Sequence, residues 1–160
     1  SMVPRIERCL ADVSDWCGSR RLQLNMTKTE VMWFGSRQSL SNLPQCDKFV
    51  VIGGETIQSA TSVRDLGVHF DSELTMKVHV AKTAQGCFYQ LRRLQQVRRL
   101  LGREVASNLV TAFVFSRLDY CNALLTGLPS STLRPLQRVI NAPLLVWSVG
   151  FDHVIMFLLQ

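Results

Sequence analysis

After Asp71 the hydrophobic period of this chain changes from two residues to about 3.6, so strands and helices must occupy separate parts of it. Upstream of the change, Phe49-Val50-Val51-Ile52, Gly53-Gly54 and Glu55-Thr56-Ile57 read as strand, two-residue turn and strand. Gly-Gly permits the positive φ angles that a tight hairpin requires. Leu22 and Leu24 alternate with polar residues as in a short strand, Asn25 to Lys28 reads as a turn, and Glu30 to Phe34 is a compact strand run. Residues 36–47 are polar and read as a loop, and Val63 to Phe70 is a further strand with Gly67 in its middle. Glycine inside a strand marks a bulge or a close backbone approach. Ahead of all these, Ile6, Cys9, Leu10, Val13, Trp16 and Cys17 keep helical spacing, and Gly18 closes that helix.

Downstream, Val80, Ala84, Cys87, Leu91, Leu94 and Leu101 follow a helical track that Arg98 interrupts and Gly102 stops. A second helix begins with Ala106, Leu109, Val110, Phe113 and Val114 and runs to about Leu125, closed by Gly127 and Pro129. Ser131 is placed to cap a third helix, with Leu133, Leu136, Val139 and Ile140 inward, Pro135 in its first turn and Pro143 at its end. The expected class is α+β. A helix-plus-hairpin unit spans 1–72, a three-helix bundle spans 73–143, and an apolar tail spans 144–160.

Charge is distributed as unevenly as hydropathy. Residues 1–76 carry eight basic and nine acidic side chains, and residues 104–160 carry three of each. The whole excess behind the net charge of +6 therefore lies in residues 77–103, with Lys77, Lys82, Arg92, Arg93, Arg98, Arg99 and Arg103 and no acid. A localised basic element points to a polyanionic partner, although a solvated helix face is the plainer reading of a charge run. On a wheel of 100° per residue, Arg92, Arg99 and Arg103 fall near one another beside Lys77, a stripe able to track a phosphate backbone.

Other chemistries lack their residues. Two-metal phosphoryl transfer needs carboxylates that hold two cations about 4 Å apart, and the chain has no adjacent acidic pair. Asp12 and Asp15 share a helix face opposite Ile6, Leu10 and Val13 and read as solvated acids. His69, His79 and His153 show no metal-ligand spacing, and no phosphate-binding glycine loop or nucleophile elbow is present. The five cysteines, Cys9, Cys17, Cys46, Cys87 and Cys121, form an odd set without CxxC, as expected of reduced thiols in an intracellular protein. Three of them fall on apolar helical positions, where free Cys acts as a small hydrophobe. The run from Leu144 to Leu159 is broken by Gly150, Asp152 and His153 and falls short of the ~20 residues of a spanning helix, so no membrane partner is expected.

Three strings carry a family resemblance. Asn25-Met26-Thr27-Lys28-Thr29-Glu30, followed by Trp33-Phe34, resembles the lysine-bearing motif near the end of reverse transcriptase palms. Val63-Arg64-Asp65-Leu66-Gly67-Val68, with Asp71 after it, resembles the primer-grip hairpin. Ser116-Arg117-Leu118-Asp119-Tyr120-Cys121-Asn122-Ala123-Leu124-Leu125, then Gly127-Leu128-Pro129, is similar to a thumb sequence of non-LTR (LINE-type, CR1/L2-like) retrotransposons. The strings occur in the family's order, and the resemblance covers about residues 5–153.

The resemblance implies a fragment of an RNA-directed DNA polymerase: the end of the palm with its primer grip, then the thumb. It implies that Lys28 is the lysine that stabilises a leaving pyrophosphate, that Leu66, Gly67 and Val68 hold the primer end, and that the basic helix from about Leu74 to Leu101 grips a template–primer duplex of RNA and DNA. The family's paired catalytic aspartates are expected just upstream of residue 1, with the rest of the palm and the fingers. No cofactor is expected in this chain, since Mg²⁺ belongs to the intact polymerase, and no activity is expected from this chain alone. Two departures stand out: Asn141-Ala142-Pro143-Leu144-Leu145 replaces the usual Asn-Ala-Ala-Ala-Arg, and the tail leaves the pattern after His153. They motivate an alternative, a retrotransposon-derived, catalytically inactive module with a protein partner on exposed apolar surface. Arg117, Asp119 and Tyr120 are read as structural, an ion pair and a packed ring, rather than as substrate contacts. Trp16 and Trp33 are read as core.

Overall fold

Among the described residues, strands are confined to two short antiparallel hairpins, and the other regular elements are helical. The computed structural model describes residues 2–147 and divides into two compact units, Ser1–Thr75 and Met76–Gln160. The class is α+β. In the first unit, helix α1 (Val3–Ser19) starts with Pro in its first turn, where the missing N–H costs no hydrogen bond. Strands β1 (Phe49–Ile52) and β2 (Glu55–Gln58) pair in register Val50↔Ile57 and Ile52↔Glu55. Gly53 and Gly54 take φ of 58° and 86°, as the sequence requires of that turn. β1 alternates, and its inward residues Val50 and Ile52 meet Val3, Ile6 and Leu10 of α1 in one small core. Glu7 adds a polar tie, its Oε1 accepting from the Val51 N–H at 2.9 Å.

Several expectations for this unit are corrected. Leu22 and Leu24 belong to no strand. Glu30–Phe34 is extended but pairs only at Val31, through a parallel bridge to Ser59, because its neighbour is the short connection between the hairpins. The loop at 36–47 holds a one-turn helix α2 (Arg37–Ser41), for which Ser36 is the N-cap and accepts from the Ser39 N–H. The strand expected over Val63–Phe70 is a hairpin of β3 (Ser62–Asp65) and β4 (Val68–Asp71), with Val63↔Phe70 and Asp65↔Val68 paired. Leu66 and Gly67, at φ of 45° and 88°, turn the chain between them. Along α1 only Val3 and Cys17 are buried; Cys9, Val13 and Trp16 are exposed, Trp16 at 57%, which corrects the reading of Trp16 as core. Trp33 is half-buried against the hairpin core and donates from Nε1 to the Asp47 carbonyl at 2.8 Å.

In the second unit, helix α3 (Lys77–Val97) buries Val80, Ala84, Cys87, Leu91 and Leu94. These meet Ala106 and Val110 of α4 (Arg103–Val110), Val114 and Phe115 of a π-helical turn (Thr111–Phe115), Leu118 of α5 (Ser116–Asp119), and Leu136 and Val139 of α6 (Ser130–Trp147). The π turn has a cause in the sequence. Ala106, Val110, Val114 and Leu118 recur every four residues, and each such step overshoots an α-helical turn by about 40°. A wider turn absorbs the overshoot and keeps the four on the core side.

Three helix ends also differ from expectation. The second helix leaves α geometry after Asp119, where Cys121 takes φ of 57° and a 3₁₀ turn covers Asn122–Leu125. α6 begins at Ser130, so Ser131 is inside it, and it runs past Pro143 to Trp147. Proline removes one donor and clashes with the preceding turn, which disfavours a helix without always ending it. The expected tail lies outside the described residues from position 148 onward. Phe113 is 43% exposed, because the π turn rotates it off the core face.

Truncating Leu136 to Ala is expected to destabilise by about 2–5 kcal/mol, and Phe113→Ala by less than about 1 kcal/mol; urea unfolding of the two variants measures the contrast. Burial pushes the Cys87 thiol up to about 11 against the opposing charge of Arg117. It should therefore stay protonated and unreactive at neutral pH, while exposed Cys9 and Cys46 label first. Rapid labelling of Cys87 in the native protein, mapped by mass spectrometry, would contradict this packing.

Candidate nucleic-acid interface

Lys28 ends a 3₁₀ turn (Met26–Lys28) whose sequence stitches itself together. Thr27 Oγ1 donates to Asn25 Oδ1 at 2.6 Å and Thr29 Oγ1 to the Asn25 carbonyl at 2.9 Å. Met26 is drawn toward the α1–β1 core, which leaves Lys28 exposed on the other side of the turn. The chain then runs extended, and alternation divides its side chains. Val31 and Trp33 join the core, whereas Lys28, Glu30, Met32 and Phe34 line one wall of an open cleft of about 540 Å³. Val63, Arg64, Asp65, Phe70 and Leu74 line the other. Lys28 and the second hairpin, separate in sequence, thus border the same space. Backbone bonds hold the walls together: Ala60 N–H to the Val31 carbonyl at 2.7 Å, and Gly35 N–H to the Ser72 carbonyl at 3.1 Å.

The cleft is apolar at Met32, Phe34, Val63, Phe70 and Leu74, with Lys28 and Arg64 balanced by Glu30 and Asp65. Its four charges cancel formally, so net charge alone does not draw a phosphate into it. Of the hairpin residues expected to hold a primer, Leu66 is 83% exposed at the tip, whereas Val68 is 3% exposed and its side chain is unavailable for contact. Gly67 serves turn geometry at φ 88°. Asp71 fixes the chain beyond the hairpin, with Oδ1 accepting from the Thr75 N–H at 2.8 Å and Oδ2 from its hydroxyl at 3.1 Å.

In the second unit all seven basic residues of 77–103 are exposed. The single continuous helix that their expected grouping assumed is not present. α3 gives way to a 3₁₀ turn at Arg98–Leu100, and Arg103 opens α4, so Arg99 and Arg103 leave the helical wheel that placed them with Lys77 and Arg92. A different association appears. The Arg93 guanidinium stands 5.8 Å from the Tyr89 ring centroid, a cation–π distance. Tyr89 and Arg93 are four apart on a helix, so that pair was legible in the sequence and was missed. Arg117, read as an ion-pair partner of Asp119, lies instead against Gly86 of α3, and Asp119 accepts from Asn122 Nδ2 at 2.8 Å. The Tyr120 ring is 52% exposed rather than packed.

His79 is buried, and burial lowers its pKa, which favours the neutral ring. Among the described residues, no group of three or more His, Cys, Asp and Glu is placed to hold a metal ion, and no helix is long and apolar enough to cross a membrane.

Gly67→Ala is expected to destabilise by about 1–2 kcal/mol, because a Cβ is strained at this φ. A thermal melt of that variant indistinguishable from wild type would show that the turn does not depend on glycine. A scan against protein-family models, a search of curated proteins and a search of solved structures each returned no match, so the bearing on function is that of these residues and their geometry.

Proposed function

We propose that this chain is the primer-grip and thumb portion of an RNA-directed DNA polymerase of the non-LTR retrotransposon type, and that it holds template–primer nucleic acid by its backbone without sequence preference. The observation that carries the reading is the basic run: seven cations and no acid over residues 77–103, every one exposed. Phosphates neutralised by such groups release counterions, which supplies affinity independent of base sequence. The shared cleft of Lys28 and the β3–β4 hairpin supports the polymerase part, since a leaving-group lysine and a primer grip serve one reaction centre. In this reading the chain positions substrate and supplies no metal-binding acids of its own. Lys28 contributes a cation at the leaving group, and the hairpin tip at Leu66 and Gly67 meets the primer end through backbone.

One observation favours a second reading, the catalytically inactive interaction module. Cys9, Val13 and Trp16 form an exposed apolar line along α1, a surface suited to a protein partner. A nuclease-resistant, stoichiometric protein partner recovered by pull-down, together with no nucleic-acid binding, would select it.

Fluorescence anisotropy with a labelled primer–template duplex tests the main reading. If four of the cations contact phosphates, about a fourfold rise in salt lowers affinity roughly 100-fold. Replacing Arg92, Arg93, Arg98 and Arg99 together with Ala is expected to abolish most of that dependence. Undetectable binding by the wild type at low salt, or binding unchanged in the fourfold variant, overturns the proposal.

A further inference from the structure

Helix α3 has a second exposed line that the basic run does not define. At 100° per residue, Lys82, Gly86, Tyr89 and Arg93 lie within about 60° of one another, on the side opposite Val80, Ala84, Leu91 and Leu94. Lys82, Tyr89 and Arg93 are exposed, and Arg93 rests over the Tyr89 ring. Tyr89 thereby restricts a long side chain that would otherwise lose rotamer freedom on binding an anion.

Gly86 has an unusual place in this line. A helix interior disfavours glycine, which has more backbone freedom to lose than any other residue. Here a neighbour lies against it: a Cβ on Gly86 would stand 3.4 Å from Arg117 Nη1, in ordinary contact with the guanidinium, and a larger side chain would displace it. Arg117 is itself exposed, on α5, and its charge is felt at Cys87, the next residue of α3. Two observations thus place the guanidinium of a different helix on the surface of α3, between Lys82 and Arg93 along the line.

We propose that Lys82, Arg93 and Arg117 form one strip that binds the sugar–phosphate backbone of a nucleic acid, with Gly86 as the seat of Arg117 and Tyr89 as the support of Arg93. From Lys82 to Arg93 the helix rises about 16 Å at 1.5 Å per residue. A compact anion reaches one of these cations. A nucleic-acid strand, with a charge about every 3.4 Å of duplex axis, reaches all three. The proposal rests on the nucleic-acid reading above and adds to it a residue outside the basic run, from a segment read in the sequence as purely structural.

Salt titrations of duplex binding test it with Arg117→Ala, Arg117→Lys and Gly86→Leu, each checked for folding by circular dichroism. Arg117→Ala is expected to reduce the slope of log affinity against log salt by about one, the contribution of one phosphate contact. Arg117→Lys keeps the charge and most of the slope. Gly86→Leu displaces the guanidinium without changing net charge, so a reduced slope there reports position rather than charge, and it stands in for Arg117→Ala should that variant fail to fold. Wild-type slopes in both Arg117→Ala and Gly86→Leu, with wild-type binding intact, overturn the strip and leave the grip by residues 77–103 standing. No binding by the wild type at low salt overturns both. Tighter binding to phosphatidylserine vesicles than to duplex overturns nucleic acid as the ligand.

Discussion

Helix α3 has one way to bury Val80, Ala84, Cys87, Leu91 and Leu94 together, and that orientation decides where every other side chain on it points. The apolar residues recur at alternating spacings of four and three, which keeps them on one side of the helix over its length. Water is thereby excluded from Cys87, which is fully buried, and Lys82, Tyr89, Arg92 and Arg93 are turned outward. The facing helix keeps contact by a different means. Its fours-only spacing would rotate away from α3, and the π turn at Thr111–Phe115 restores the alignment. The same correction sets the position of Arg117, six residues beyond the start of that turn.

The first unit depends on a division of labour along one extended segment. Residues 30–34 alternate between the α1–β1 core and the cleft, so the packing of Val31 and Trp33 is what presents Glu30, Met32 and Phe34 on the other side. A one-residue slip in that segment would exchange the two sets. The single bridge at Val31 and the bonds at Ala60 and Gly35 oppose such a slip with few contacts. Exposed ion pairs add little by comparison; the Arg37–Glu73 pair at 3.3 Å is solvated and screened.

The two candidate binding surfaces differ in electrostatic kind. The cleft beside Lys28 is formally neutral and largely apolar, suited to fixing the orientation of a group already delivered to it. The outward surface of α3 carries Lys77 and Lys82 near its start and Arg92 and Arg93 near its end, a charge whose reach toward a polyanion is set by salt.

Legible in the sequence were the mixture of strand and helix, the Gly53-Gly54 turn, the buried line of α3 and the confinement of excess charge to residues 77–103. Each of these is a local property, read from spacing, from the φ freedom of glycine or from a count. Tertiary packing set what local patterns do not: Val68 faces inward, Trp16 lies outside the core, and Lys28 shares a cleft with the second hairpin. It also decided which cations share a helix. A helical wheel assumes one continuous helix, and the 3₁₀ turn at Arg98 ends that assumption for Arg99 and Arg103. Arg117 joins α3 from 31 positions beyond Gly86, brought there by core packing that no local pattern encodes.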